Sequence, residues 1–300
     1  MTLAVYLPLI LPLLVAFAAR YAVDHARPRA AVPGLVAAAA LSAAATIWSL
    51  LLLFLTLFDD LPSMIAVNTR AGMRLPEPVP DWIAVTALVL LVIALIRLER
   101  DLSFRHTAAR RLRNAGPAAG DVIVADWAEP LAVAVPGRPG RPGEILLTTG
   151  MLRVLDAEER RAVLAHERAH LAHRHHMAVL LTSAAAAVNP LLRPAREAVT
   201  YLVERWADEE AATGVGDRDL VARAVARAAL ATAGHPTTAP ALGMHGGVIV
   251  RRVRALHSPP PASARWQLAL LAAVGAACLL LEASATASFV DIVRAWLAGW

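Results

Sequence analysis

At 300 residues the chain has room for one or two domains, but 58% of it is hydrophobic and its mean hydropathy is +0.54. That excess excludes an ordinary water-soluble globular domain and implies contact with lipid. The net charge of +5 does not point to nucleic acid, because the arginines gather beside apolar runs instead of forming one continuous stripe. Aromatic residues are only 5% and Ala, Leu and Val dominate, so the apolar mass favours helices over a β-barrel. The single cysteine, Cys278, leaves no internal disulfide and no cysteine-rich metal site.

The first apolar run, Leu3 to Tyr21, has the length of a membrane-spanning helix and no charge before Arg20. A cleaved signal peptide is the competing reading, but no basic segment precedes the run, and Pro8 and Pro12 interrupt it. Val32 to Phe58 and Trp82 to Leu98 are the second and third candidate spans, and Trp266 to Ala287 is the fourth. Arg20, Arg27 and Arg29 lie in or beside the link between the first two runs, whereas the link from Asp59 to Asp81 is acidic on balance. Arg97 at the end of the third run is followed by Arg100, Arg105, Arg110, Arg111 and Arg113. Basic segments mark the cytoplasmic side, which places the N-terminus outside the plasma membrane and residues 99–265 inside. The expected organisation is thus three transmembrane helices in 1–98, a cytoplasmic domain in 99–265, a fourth transmembrane helix in 266–287 and a short tail in 288–300.

Within the cytoplasmic portion, Asn114-Ala115-Gly116-Pro117 is a turn signal. Val122 to Ala125, Leu131 to Val135 and Glu144 to Thr149 are short β-prone runs that predict a small sheet. Asp156 followed by Glu158 and Glu159 marks a helix start. Met177 to Leu192 is apolar but short for a crossing and ends in Asn189-Pro190. If it crossed, residues on its two sides could not share a metal, so segment 177–192 is expected to be buried or re-entrant. No period of 20–50 residues recurs.

His166-Glu167-Arg168-Ala169-His170 is an HExxH motif, and on a helix its histidines fall one turn apart on one face. Both imidazoles then reach one Zn2+ ion, and a catalytic zinc takes three protein ligands so that a position stays open for water. Glu167 is the expected general base. The apolar turn Ala162-Val163-Leu164-Ala165 leading into the motif suits a buried helix better than a solvated histidine surface. The strongest candidate for third ligand is Glu204. Asp208, one turn further, is placed to accept a hydrogen bond from a ligating histidine. Glu209 and Glu210 are fallback ligands on the solvated side of the same helix. His173, His175 and His176 read as a polar helix end at the membrane surface rather than as a second metal site. Arg218 or another downstream base is a conceivable oxyanion partner that no spacing selects.

The HExxH motif, His173 and His175, the Glu204/Asp208 pair and the upstream Ile145-Leu146-Leu147-Thr148-Thr149-Gly150-Met151-Leu152 together resemble the bacterial membrane gluzincins. Two groups fit: one holds the protease part of the β-lactam-sensing receptors, the other the CAAX prenyl proteases and the heat-shock membrane protease. The similarity covers roughly Val122 to Ala212. It implies a mainly α, multi-pass membrane protein of about four transmembrane helices carrying a cytoplasmic, gluzincin-type α+β metallopeptidase domain. It further implies a zinc endopeptidase with His166, His170 and Glu204 as ligands and Glu167 as base. An edge strand at Leu131, Ala132, Val133 and Ala134 would take substrate as an added β-strand. After the fourth run only about a dozen residues remain, so an acylated extracellular sensor domain is not expected.

The expectation is a membrane endopeptidase using one zinc-activated water on a peptide or membrane-associated protein, in regulatory proteolysis or quality control, within the lipid bilayer and without nucleic acid. A non-catalytic zinc-binding scaffold or signalling partner is the rival, but a structural site needs no Glu167. A transporter is disfavoured because the spans carry almost no internal charge, Glu282 being the chief exception. Substrate, trigger and oligomeric state are not legible in the sequence.

Overall fold

The computed structural model of the protein describes residues 5–58, 79–116, 118–138, 140–233 and 246–258, together with scattered positions beyond 268. Helices α1 (Leu7–Ile10) and α2 (Pro12–His25) follow one another with Leu11 between them, and Pro12 at the start of α2 has no preceding-turn partner for its missing N–H. Helix α3 (Pro28–Leu55) likewise opens on a proline, and α4 covers Asp81–Arg113. Among the described residues, three helices are long and apolar enough to cross a membrane: Leu7–His25, Pro28–Leu55 and Asp81–Arg113. The Asp59–Asp81 link lies mostly outside the described residues. So does most of the fourth apolar run, where the described positions are helical and Thr286 accepts a hydrogen bond from Trp48 Nε1 at 2.8 Å.

Helix α4 differs from expectation at its end. The apolar run extends from Trp82 to Leu98, and the helix continues beyond it unbroken to Arg113, about 50 Å in all. Ala, Leu and Arg are good helix formers, Asp101 pairs with Arg105 one turn on, and Arg110, Arg111 and Arg113 complement the negative end of the helix dipole. Its apolar half exposes Val85, Val89, Val92, Ile93 and Ile96, a face suited to lipid.

Strands β1 (Ala118–Ala119), β2 (Val122–Ala125), β3 (Ala132–Val135) and β4 (Glu144–Thr148) form one sheet in the order β1-β2-β4-β3. β2 runs parallel to β4, and β3 pairs antiparallel with β4, so β3 is an edge strand. Thr149 is not the last strand residue, as the sequence suggested: it begins α5 (Thr149–Val154), whose first turn is capped by Thr148 Oγ1 accepting from Met151 N.

Helix α6 (Ala157–Ala172) starts in a capping box. Asp156 accepts from Glu159 N, and Glu159 accepts from Asp156 N at 3.0 Å. The buried Glu159 also receives Arg227 from α9 (Arg218–Ala233), which ties that helix to the base of α6. At the other end Arg174 stands in the left-handed region with φ 50°, so the chain bends sharply before α7 (His175–Val188) begins. Helix α7 ends at Asn189, whose side chain accepts from Leu191 N and donates to Thr46 of α3 at 3.1 Å. A short 3-10 turn, Pro190–Leu192, then leads into α8 (Arg193–Val215), which packs back along both α6 and α7. Segment 177–192 is therefore the first arm and tip of a helical hairpin buried against α2 and α3. Gly216 closes α8 at φ 80°, a position that favours glycine. Finally α10 (Gly246–Leu256) lies across α8 and α9.

The hairpin brings α8, which carries Thr213, back alongside α6, which carries Arg168. With Cys278 replaced by alanine, Arg168→Cys and Thr213→Cys are expected to be labelled by an impermeant thiol reagent from the same face of sealed vesicles. Labelling from opposite faces would overturn the hairpin.

Candidate metal centre

Three donor residues converge where α6 and α8 cross. His166 Nε2 and His170 Nε2 are 3.1 Å apart. His166 Nε2 lies 3.5 Å from Glu204 Oε2, and His170 Nε2 lies 3.5 Å from Glu204 Oε1. Zinc holds nitrogen and carboxylate oxygen at roughly 2.0–2.2 Å in a tetrahedron, which separates neighbouring ligand atoms by about 3.3 Å. The observed spacings, each histidine reaching a different oxygen of Glu204, fall within a few tenths of an ångström of that value, so the three side chains are gathered closely enough to share a single ion of this kind. Among the described residues, His166, His170 and Glu204 are the group with metal-site spacing. Glu209 and Glu210 are elsewhere: Glu209 is held in a two-pronged pair by Arg218, and Glu210 lies 3.5 Å from His173 Nε2. Arg218 itself donates to Leu256 O and is occupied there rather than at the metal-site carboxylates.

Each histidine has a neighbour behind it. His166 Nδ1 lies 3.0 Å from Asp208 Oδ1, although the ring N–H is not aimed squarely at that oxygen. His170 Nδ1 lies 3.0 Å from Nδ1 of His175. His175 is not the solvated helix end that the sequence suggested. It is 1% exposed, because the left-handed turn at Arg174 ends α6 and swings the first residue of α7 back under His170. Its ring lies against Trp206 of α8, with centroids 4.8 Å apart.

Glu167 is buried, and one oxygen accepts the backbone N–H of Ala134 at 2.7 Å. The N–H of Ala134 therefore points away from β4, toward the open edge of the sheet. Main-chain groups alternate along an antiparallel strand, so those of Ala132 share that outer edge while Val133 faces β4. Leu131 is turned inward as well: its carbonyl accepts Thr148 N and its N–H donates to Thr148 Oγ1. Of the four residues expected to form a substrate edge, the register leaves Ala132 and Ala134 facing outward.

The residue that sequence reasoning missed is Arg252 on α10. Its guanidinium grips both oxygens of Asp208, at 2.8 Å and 2.7 Å, and reaches Glu204 Oε2 at 2.9 Å. Neighbouring Arg251 binds Asp24 at 2.6 Å and sits over the Tyr201 ring, fixing α10 against the end of α2. No motif or spacing announces Arg252. Its only sequence sign is an arginine on the inner face of a strongly amphipathic helix.

The electrostatics follow from this crowding. Burial would raise Glu204 and Asp208, but the positive charge of Arg252 and the nearby His166 hold both carboxyls below their usual range. Burial pushes Glu167 up to about 7, a value suited to proton transfer at neutral pH. Burial lowers His170 to about 4, so its ring is neutral and ready to ligate. Burial disfavours the charged form of His166 too, but Asp208 and Glu204 outweigh it and raise that histidine to about 10.

A buried and a half-buried imidazole and a half-buried carboxylate gathered at one point, with the buried Glu167 carboxylate beside them, have the make-up of a mononuclear metallohydrolase centre. The model of Peptidase family M48 matches residues 122–195, from β2 through the first turn of α8. That match supports a metallopeptidase of the M48 type. It contains His166, Glu167 and His170 and stops short of Glu204 and Asp208, which the fold brings to the same point. No solved structure matches the chain.

Metal binding requires neutral His166, whereas the metal-free site holds that ring protonated below about pH 10. Zinc uptake is therefore expected to release about one proton, and affinity to rise up to about tenfold per pH unit between roughly 7 and 9. Calorimetry in buffers of different ionisation enthalpy checks this; affinity independent of pH, with no proton release, would contradict it.

Proposed function

We propose that the protein is a zinc-dependent membrane endopeptidase whose site is formed by His166, His170 and Glu204 as ligands and Glu167 as general base. The observation that carries this reading is the convergence of His166 Nε2, His170 Nε2 and the Glu204 carboxylate beside the buried carboxylate of Glu167. Bound zinc would supply Lewis acidity toward the scissile carbonyl and would activate water. Glu167 takes the proton of the attacking water and passes it to the departing amine. The Ala134 N–H fixes the orientation of that carboxylate. Asp208 backs His166, and Arg252 holds Asp208 and Glu204 in register. A peptide in extended form adds to the outer edge of β3 through the N–H and carbonyl of Ala132 and the carbonyl of Ala134, the Ala134 N–H being held by Glu167, which makes recognition tolerant of side-chain sequence.

The same reading places the site at the cytoplasmic end of a plasma-membrane bundle of about four spans, with the N-terminus outside. Two observations support it. The Arg251–Asp24 pair ties the site to the end of α2, next to the basic link that carries Arg27 and Arg29. The arginine-rich half of α4 leaves the apolar region with Arg113 donating to Pro136 O beside the sheet. Both basic stretches thus belong to the site's end of the molecule, as cytoplasmic orientation requires. A substrate in or beside the membrane, cleaved for regulation or quality control, suits that location.

Elemental analysis and casein cleavage on detergent-purified protein test the roles. Glu167→Gln is expected to keep about one zinc and lose at least a hundredfold in rate, and Glu204→Ala to lose zinc and activity together. Wild-type protein that binds no zinc, or Glu167→Gln with full activity, would overturn the proposal. Ala132→Pro removes one outward N–H of β3 on an edge where proline is tolerated. It is expected to raise KM for peptide without changing zinc content, and unchanged KM would remove the added-strand mode.

A further inference from the structure

The neighbour of His170 matters because a neutral imidazole that ligates through Nε2 carries its hydrogen on Nδ1. That hydrogen needs an acceptor wherever water is excluded, and such partners fix the tautomer and orientation of ligating histidines. For His166 the nearest candidate is a carboxylate, Asp208. For His170 the atom at hydrogen-bond distance is His175 Nδ1, at 3.0 Å. His175 is 1% exposed, and its other ring nitrogen, Nε2, is buried with no hydrogen-bond partner. The polarity of the contact is set by the metal site. If His175 donated to His170, the hydrogen of His170 would sit on Nε2 and block the ligating lone pair. His170 must donate, and His175 must accept with its own hydrogen on Nε2.

The backbone around His175 is built to hold this contact. Arg174 is the one non-glycine residue with positive φ among the described residues, and an arginine in that conformation is uncommon. Without that turn α6 would continue, and His175, five residues beyond His170, would lie more than a turn away on a different face of the helix. The bend ends α6 and restarts the chain as α7, bringing two imidazoles into contact at a spacing that an uninterrupted helix does not allow. Trp206, on the helix that also supplies Glu204, packs against the His175 ring and fixes its plane.

We infer that His175 is a positioning residue for the metal centre: its Nδ1 accepts the hydrogen bond that locks His170 in the ligating tautomer. The inference rests on the zinc site proposed above. The two ligating histidines are then supported unequally, one by a carboxylate shared with Arg252 and the other by a neutral ring.

Two substitutions separate this role from simple packing. His175→Phe keeps an aromatic ring against Trp206 and removes the acceptor. His175→Asn loses the ring and keeps an amide oxygen near the position of Nδ1. Zinc affinity is measured by chelator competition on detergent-purified protein, alongside the thermal unfolding of the metal-free forms. The expected result is that His175→Phe weakens zinc binding about 10–100-fold while His175→Asn stays within a few-fold of wild type. His175→Phe binding like wild type would overturn the inference, as would both variants weakened alike, since each outcome assigns the ring a packing role. If His175→Phe fails to fold, His175→Asn decides: near wild-type affinity upholds the acceptor and weakened affinity overturns it. A wild-type protein that binds no zinc would instead remove the metal site itself, so the two failures are distinguishable.

Discussion

The structure depends on bringing Glu204 back to His166 and His170 after 33 intervening residues, most of them apolar. A 14-residue helix spans about 21 Å, less than the hydrocarbon thickness of a bilayer, so α7 is too short to complete a crossing with ordinary helical geometry. The chain turns instead. Asn189 closes the turn by satisfying Leu191 N with its oxygen and binding Thr46 with its amide, so the tip leaves little polar backbone uncompensated among apolar neighbours. Helix α8 then has only one direction left, antiparallel to α7, and Glu204 arrives opposite the histidines. The metal-donor geometry is a consequence of where a short apolar helix can end.

Much of this was legible in the sequence because it is local. Two histidines one turn apart declare their shared face, and Glu204 with Asp208 repeats that spacing on a second helix. The β-prone runs near residues 122, 131 and 144 became strands at nearly those positions because short branched and apolar runs between turn residues have few alternatives. The hairpin followed from a constraint rather than a propensity, since residues on opposite sides of a membrane cannot hold one ion.

What escaped the sequence is non-local or conformationally unmarked. Arg252 meets Asp208 across 44 residues, and arginine is too common in this chain for any one to stand out. The bend at Arg174 carries no glycine, asparagine or proline, so nothing separated His175 from a solvated helix end. The apolar run ends at Leu98 by composition, and the arginines beyond it carry no sign of how far the helix extends; a helix has no reason to stop where its surroundings change. Helical hydrogen bonds are internal to the segment and indifferent to that boundary.

The charge balance of the site explains why so many ionised groups persist together with little access to water. Glu167, Glu204 and Asp208 are three carboxylates within one cluster, and Arg252 compensates only one of them. In the metal-free site the remainder is handled by protons: His166 is driven toward its imidazolium form and Glu167 toward its acid. A divalent cation replaces those protons with two fixed charges. Three carboxylates against one guanidinium and one divalent ion leave no net charge, which is the condition under which burial of such a cluster is least costly. The raised pKa of Glu167 is thus partly a measure of charge that the metal would supply. The field of a bound divalent ion would favour the carboxylate form, which would return Glu167 to the state that the proposed base role requires. The proposed ligands, the proposed base and the arginine that pairs with Asp208 and Glu204 are parts of one electrostatic balance, and α10 belongs to the site because without Arg252 that balance does not close.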